Sequence, residues 1–474
     1  MSFETVFALL VHALLAPATA IHALLYKRDP KAAFGWIAVC ILFPLAGPVL
    51  YLFFGLNRVR GKAQDLGLPG FSVGYERGAA PPQTHPLPSQ IPPAYRELAR
   101  VGQALSRHPL IGGNHVEPLI NGEQAYPAML EAIDEARHHV LLTTYILEND
   151  QIGRRFLAAL ERAVKRGVDV RVLIDGFGDL YSWPRSSRVL KKAGIRVARF
   201  LPPGLLPPSL SINMRNHHKI LVVDDAIGFA GGMNIGDRHC LDREGNRRPT
   251  ADVHFAVKGP VVGQLREEFL RMWRFSTDDN QDPDCRVPTR SGSLLCRTVT
   301  DGPDEDLDKL MMLLNAAIGE ARRSVRIMTP YFLPPRELIS AIQAACVRGV
   351  DVLIVLPACN NLPYIHWATR NMLWEILFRG ARVHYQPPPF NHAKLFVVDD
   401  YYALIGSTNW DTRSLRLNFE LQVEVYGDEF VQALAGQVEA AAERGREVTL
   451  SEIDGRPLPQ RLRDALAWLF YPYL

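Results

Sequence analysis

The chain has almost no surplus charge. Its 474 residues carry 53 Lys and Arg against 50 Asp and Glu, a net +3. A nucleic-acid binder concentrates basic charge on one face, and no basic stripe is visible here. Cysteine is scarce and scattered. Cys40, Cys240, Cys285, Cys296, Cys346 and Cys359 form no CxxC pair, which argues against a disulfide scaffold, a zinc site and a dithiol redox motif. They read as thiols used as small hydrophobes. There is no Gly-rich phosphate loop and no cluster of metal ligands, so no cofactor and no metal are expected. At 47% hydrophobic residues the chain has too much apolar material for disorder. Its length allows about three structural units.

Charge is missing altogether from two stretches near the N-terminus. Thr5 to Leu25 and Ala32 to Gly55 contain no charged residue and are each long enough to cross a bilayer core. His12, His22 and Pro17 weaken the first. The polar link Tyr26-Lys27-Arg28-Asp29-Pro30-Lys31 joins them, so residues 1–60 are expected to form a transmembrane helical hairpin. Basic residues lie on both flanks of the second span (Lys27, Arg28 and Lys31; Arg58, Arg60 and Lys62), so the positive-inside rule leaves its orientation open. Residues 61–93 hold five Gly and seven Pro and read as a linker.

The remainder repeats. His139-Val-Leu-Leu-Thr-Thr-Tyr145 has a strand pattern; a helical stretch follows to Arg166-Gly-Val, then the apolar strand Asp169 to Asp175. Ser324 to Tyr331, a helix to Arg348-Gly-Val and the strand Asp351 to Pro357 repeat that order. Residues 94–285 and 286–474 are therefore expected to be two α/β units with a largely parallel sheet covered on both faces.

Each half then carries the same motif. The first reads Asn216-His217-His218-Lys219, four apolar residues and Asp224, then Gly231-Gly232-Met233-Asn234 and Arg238. The second reads Asn391-His392-Ala393-Lys394, four apolar residues and Asp399, then Gly406-Ser407-Thr408-Asn409 and Arg413. On a strand, residues two apart share a face, so each His and its Lys point the same way. One such motif is weak evidence, but two with the same tail in a repeating chain are strong.

This double HxKx4D pattern resembles the phospholipase D superfamily, and within it the chain looks like the bacterial cardiolipin synthases. The resemblance extends to Gly-Pro-Val-Leu-Tyr-Leu-Phe-Phe-Gly (47–55), Gly-Met-Asn-Ile-Gly-Asp (232–237), Thr-Pro-Tyr-Phe-Leu-Pro-Pro (329–335), Gly-Ser-Thr-Asn-Trp-Asp-Thr-Arg-Ser (406–414) and Asn-Phe-Glu420. It implies two pseudo-symmetric phospholipase D-like α/β sandwich domains behind the hairpin. It also implies an integral protein of the bacterial inner membrane, acting on phosphatidylglycerol and not on nucleic acid.

Exchange at a phosphodiester needs a nucleophile, an acid for the leaving alkoxide and cations for the phosphoryl oxygens. The resemblance makes His217 the nucleophile that forms a phosphohistidine, with His392 the acid and base. Lys219 and Lys394 are the cations, and Asn234 and Asn409 neutral phosphate donors. Asp252 and Glu420, each downstream of a motif, are the expected carboxylate partners of the histidines. Asp224 and Asp399 complete the motifs but, sitting at strand ends, read as turn-tying residues. A lipid hydrolase or headgroup-exchange enzyme would share these residues, and a membrane-tethered nuclease is a further alternative. Two other features are ambiguous between packing and lipid contact: the Pro-rich approach to His217 with Leu205, Leu206 and Leu210, and the aromatic helix Tyr364 to Phe378.

Overall fold

A computed structural model describes residues 3–27, 30–55, 86–205, 208–209, 214–277, 279–303 and 308–471. The expected linker falls mostly outside these residues, as do Leu206 and Leu210. The described residues cluster into two compact units. One holds the N-terminal helices with the described part of 202–214; the other holds the rest, including both motifs.

In the first unit, α1 (Phe3–Tyr26) and α2 (Pro30–Leu42) form an antiparallel hairpin. Ala23, Cys40 and Tyr51 pack between its arms, and Tyr51 Oη lies 2.8 Å from His22 Nδ1. The second apolar run is not one continuous helix. α2 stops after 13 residues, Leu45 takes a positive φ of 60°, and the chain re-enters a five-residue α3 (Ala46–Leu50). Gly47 permits this fold-back, because a Cβ there would lie 2.1 Å from the Val39 carbonyl oxygen. At 1.5 Å per residue α2 spans roughly 20 Å, short of a bilayer core. Among the described residues no helix is long and apolar enough to cross a membrane.

The second unit begins with α4 (Arg96–Leu105). The first half then runs β1 (Ile111–Ile120), α5 (Asn121–Glu135), β2 (His139–Thr144), α6 (Gln151–Lys165), β3 (Asp169–Asp175), α7 (Ser186–Lys192), β4 (Arg196–Phe200), β5 (Ile220–Val223), β6 (Ile227–Gly231), β7 (Val253–Lys258) and α8 (Val261–Ser276). The second half repeats the plan. It runs β8 (Leu294–Asp301), α9 (Lys309–Glu320), β9 (Ser324–Met328), α10 (Arg336–Val347), β10 (Asp351–Pro357), α11 (Pro363–Met372), α12 (Trp374–Leu377), β11 (Arg382–Gln386), β12 (Leu395–Val398), β13 (Tyr402–Gly406), β14 (Glu420–Tyr426) and α13 (Asp428–Glu443). β15 (Arg446–Glu447) and α14 (Leu458–Trp468) follow.

The halves share a single 15-stranded sheet, ordered β15-β11-β10-β9-β12-β13-β14-β8-β1-β7-β6-β5-β2-β3-β4. It is mixed rather than largely parallel. Parallel pairing is confined to β2-β3-β4 and β9-β10-β11, where helices cross over between strands. The motif strands pair antiparallel through tight turns, as β5–β6 and β12–β13. A crossover permits parallel strands; the three-residue turns 224–226 and 399–401 do not. The halves meet edge to edge at β1–β8.

Local chemistry explains the repeated elements. α6 starts at Asp150, whose side chain accepts from Gly153 N–H, and buries Ile152, Phe156, Ala159, Leu160 and Ala163 along one face. Its Arg-Gly exit recurs after α10. Gly167 and Gly349 both have φ of 86°, and Arg166 and Arg348 donate to the last carbonyls of the neighbouring helices, Ile133 at 2.8 Å and Ile318 at 2.9 Å. β2, with all six residues buried, and β9 lie beside the motif strands β5 and β12 in the sheet.

Candidate active site

The two histidines sit just before β5 and β12, and local hydrogen bonds aim them. Asn216 Oδ1 accepts from His218 N–H at 3.0 Å, and Asn391 Oδ1 accepts from Ala393 N–H at 2.9 Å, so each Asn closes a turn around the following His. Asn216 N–H in turn donates to buried Asp175 at 2.9 Å. The Asn repeats in both motifs, and that repetition was the signal for its role.

The carboxylates are crossed between the halves. His217 Nδ1 lies 2.9 Å from Glu420, 203 residues away, and His392 Nδ1 lies 2.8 Å from Asp252. Each carboxylate follows one motif in sequence and serves the histidine of the other. The backbone brings this about. His217 N–H donates to the Phe419 carbonyl and His392 N–H to the Ala251 carbonyl, so each histidine is laced to the residue preceding the opposite carboxylate. An ionised carboxylate only accepts, so Nδ1 of His217 carries the proton toward Glu420 and its Nε2 keeps a lone pair; Nδ1 of His392 faces both Asp252 at 2.8 Å and Lys394 Nζ at 2.9 Å.

Lys219 and Lys394 are buried, and their ammonium groups donate to the carbonyls of His217 and His392. Burial, with mutual repulsion at Lys219, brings Lys219 down to about 7; burial brings Lys394 down to about 8 despite Asp252 and Glu420. Burial holds His217 below the ordinary imidazole range although Glu420 pulls it upward. Burial, Lys394, Lys219 and His217 together push His392 well below that range. His392 thus feels both lysines and the other histidine, and the two motifs form one electrostatic site.

Tyr145 and Tyr331, each following the first crossover strand of its half, set ring edges against the histidines at centroid distances of 5.6 and 6.3 Å. Sequence reasoning assigned neither tyrosine a role. It also missed Ser407, whose hydroxyl donates to Glu420 at 2.5 Å, and Asn418, which donates at 3.2 Å. Burial would raise Glu420, but His217, Lys219 and Ser407 hold it below the usual carboxylate range. Asp252 has no such hydroxyl, and burial raises it. Gly232 occupies the place of Ser407 in the first copy. A Cβ there would come within 3.0 Å of both Asp252 Oδ1 and Lys394 Cδ, so no larger side chain fits without displacing the lysine stem.

The asparagines of the motif tails differ. Asn234 Oδ1 accepts from Ile146 N–H at 3.2 Å, and among the described residues its Nδ2 has no partner. Asn409 Nδ2 donates to Ser414 at 3.2 Å, leaving its buried Oδ1 unpaired.

Asp224 and Asp399 lie at the far end of the motif strands, seven residues from the histidines and roughly 20 Å away at strand rise. Asp224 accepts from the N–H groups of Arg137, His138 and His139 at 2.8, 2.9 and 2.8 Å. Asp399 does the same for Arg322, Arg323 and Ser324 at 3.1, 2.7 and 2.9 Å. They belong to the turns, with φ of 53° at both, and not to the cluster around the histidines. His218 is also apart from the site: its ring is fully buried, and burial brings it to about 4.

Residues 129–273 and 314–442 match the family described as cardiolipin synthase, PLD-like domain, and residues 14–55 match the one described as phospholipase D-nuclease N-terminal. The chain is 30% identical over 463 residues to the major cardiolipin synthase ClsA of Bacillus subtilis, covering 94% of this chain and 95% of that protein. It is 31% identical over 475 residues to cardiolipin synthase A of Pseudomonas putida, covering 98% and 97%.

The chain belongs to the cardiolipin synthase family of phospholipase D-like proteins.

A solved phosphatidylserine synthase from Haemophilus influenzae superposes with a TM-score of 0.60 at 18% identity, covering 80% of this chain and all of that one, so the fold is shared. In this cardiolipin synthase family member, the family match spans both histidine–lysine pairs and both carboxylates. Among the described residues there is no group of His, Cys, Asp and Glu arranged to hold a metal ion.

Proposed function

We propose that this chain is a phosphatidyltransferase that joins two phosphatidylglycerol molecules into cardiolipin and releases glycerol. The observation that carries the reading is the crossed pairing: two histidines, each with Nδ1 on a buried carboxylate of the opposite half, beside two buried lysines.

In this reading His217 Nε2 attacks the phosphorus of the first lipid, and the bond to the glycerol headgroup breaks. His392 Nε2–H gives that glycerol its proton. A phosphatidyl–His217 intermediate remains. His392 then takes the proton from a headgroup hydroxyl of the second phosphatidylglycerol, whose oxygen attacks phosphorus and releases His217. Atoms balance without water or nucleotide, and one phosphodiester replaces another.

The electrostatics suit an anionic substrate. The cationic field that depresses His392 is the one a phosphodiester neutralises, so binding raises His392 toward the protonated form its first task needs. Lys219 and Lys394, and the unpaired amide of Asn234, serve the phosphoryl oxygens. Asp252 and Glu420 hold the ring tautomers. The N-terminal helices attach the enzyme to the bacterial inner membrane that contains its substrate, and the two catalytic halves divide near residues 285 and 286.

The test is to incubate the purified full chain with phosphatidylglycerol alone and analyse the products. Cardiolipin and glycerol in equal amounts are expected. Phosphatidic acid as the sole lipid product would replace this reading by hydrolysis.

A further inference from the structure

The C-terminal helix α14 is packed inside out. Its deepest residue is Asp464, fully buried and paired with Arg456, with Arg463 at 2.7 Å and with Arg370 of α11 at 3.6 Å. Its leucines face outward. Leu458, Leu462, Leu466 and Leu469 are between 57 and 66% exposed, and Trp468 and Phe470 are exposed at its end. Spacings of four, four and three residues put the four leucines on one helical stripe, opposite Asp464 and Ala467. A helix docked on a body surrounded by water buries its leucines and exposes its charge. This one does the reverse, at the cost of holding a carboxylate beneath three guanidinium groups.

We infer that the leucine stripe of α14 lies in the acyl-chain boundary of an anionic bilayer and seats the mouth of the active site on the lipid surface. The flanks of the stripe fit that occupant. Arg461 lies on one side, exposed and without an ion pair among the described residues. Arg463 lies on the other, held by Asp464 and 4.6 Å above the Trp367 ring, so Arg461 is the side chain placed to meet a headgroup. Basic side chains beside an apolar stripe reach phosphate headgroups while the stripe enters the hydrocarbon.

The end of α14 is tied to the segment that carries Tyr331. Tyr471, just past the end of α14, donates to the Pro334 carbonyl at 2.9 Å, three residues from Tyr331, whose ring faces His392. Tyr331 donates to Asn361, which leads into α11, where Tyr364 is 43% exposed. On the first half, the loop after β3 exposes Tyr181 beside Tyr145, which faces His217. Thus exposed aromatic rings lie close to the histidines on both halves, and the end of α14 is joined to the second-half side. The identity of the occupant rests on the lipid reading of the site; the stripe itself does not.

The test uses the full chain in phosphatidylglycerol-containing vesicles, with a fluorophore on a single cysteine and bromine atoms on the acyl chains as the quencher. One chain carries Leu462→Cys with Cys240, Cys285, Cys346 and Cys359 replaced by Ser, leaving only the buried Cys40 and Cys296 besides the label site. The other keeps Cys285 and carries Cys240→Ser, Cys346→Ser and Cys359→Ser. The label at 462 is expected to lose most of its emission in brominated vesicles and the label at 285 almost none. Equal, weak quenching at both positions would overturn the inference. Shielding at 462 without quenching, with cross-links between copies at that position, would assign the stripe to a second copy of the chain and also overturn it.

A companion variant, Leu462→Ser with Leu466→Ser and Leu469→Ser, is expected to lose about tenfold in rate on vesicles and nothing on a short-chain, water-soluble phosphodiester. Equal loss on both would give the leucines to folding and overturn the lipid contact. The quenching is read without turnover. Lipid-depth quenching in a chain that makes no cardiolipin would sink the catalytic reading alone, and turnover without quenching would sink this inference alone.

Discussion

The two halves of the catalytic unit repeat each other element for element, yet their carboxylates are supported differently. Glu420 receives His217, the Ser407 hydroxyl and the Asn418 amide, and is held ionised. Asp252 receives His392 and its neighbour's Val253 N–H, and burial raises it. A serine in the first copy would crowd Asp252 and the Lys394 stem of the second copy at 3.0 Å, and both would have to give by a few tenths of an ångström. A duplicated motif that closes on itself at one site has to break its symmetry where the copies touch. The better-supported carboxylate serves His217, the proposed nucleophile, whose ring carries positive charge after attack in that reading.

The largest effect should come from removing either histidine. His217→Ala and His392→Ala are each expected to lower turnover at least about a thousandfold, since attack and proton transfer are separate duties. The comparison sharpens if an activated donor leaves a phosphatidyl label on residue 217 in the His392 variant. Label on residue 392 in the His217 variant would reverse the assignment.

Glu420→Gln and Asp252→Asn should each cost about 10²- to 10⁴-fold, by analogy with removing the carboxylate behind any catalytic imidazole. The crossed pairing sets the pattern. Glu420→Gln is expected to slow formation of the labelled intermediate, whereas Asp252→Asn slows protonation of the leaving group, so a donor with a leaving group that needs no proton should rescue only the Asp252 variant. Rescue of the Glu420 variant alone would uncross the pairs.

Gly232→Ser tests the asymmetry directly. The new Cβ must push Lys394, and a misplacement of about 1 Å can cost roughly a hundredfold. Ser407→Ala removes a single hydrogen bond to a charged group and should cost about 10- to 100-fold. A Gly232→Ser enzyme faster than Ser407→Ala would mean that Lys394 yields freely.

The smaller effects are on stability. Asp224→Ala leaves three backbone N–H groups unsatisfied and should destabilise by about 1–3 kcal/mol while leaving turnover per folded molecule unchanged, as measured by denaturant titration and active-site counting. Three N–H donors hold the Asp224 carboxyl below its usual range against the opposing effect of burial, so its contribution is present above that range and fades as pH falls through it. The lysines act with the same sign in a higher pH window. Between about 7 and 10.5 for Lys219, and between about 8 and 10.5 for Lys394, the unfolded chain binds more protons than the folded one. Stability of the empty site should therefore rise with pH through that window, and saturating inorganic phosphate should flatten the rise by keeping both lysines charged.

Much of the site was legible because it is local. His and Lys two apart on a strand face one way whatever surrounds them, and the chain states this twice. The Asn before each His and the Arg-Gly turns are short-range devices whose geometry follows from adjacent residues. The sheet was less legible. Apolar strands alternating with helices suggested a largely parallel arrangement, but the tight turns at Asp224-Asp225 and Asp399-Asp400 make the motif strands antiparallel. The second N-terminal run had the composition of a single long helix, and a backbone reversal at Leu45 broke it in two.

The amino-acid sequence alone determined the repeat and the identity of the two histidine–lysine pairs, because each depends on residue type and short spacing. Only the tertiary structure decided which carboxylate serves which histidine, why the first copy has glycine where the second has serine, and that α14 turns its leucines outward. Those are set by where two halves of one sheet meet and by which face of a helix finds a partner, and neither is encoded in the spacing of residues along a single strand or helix.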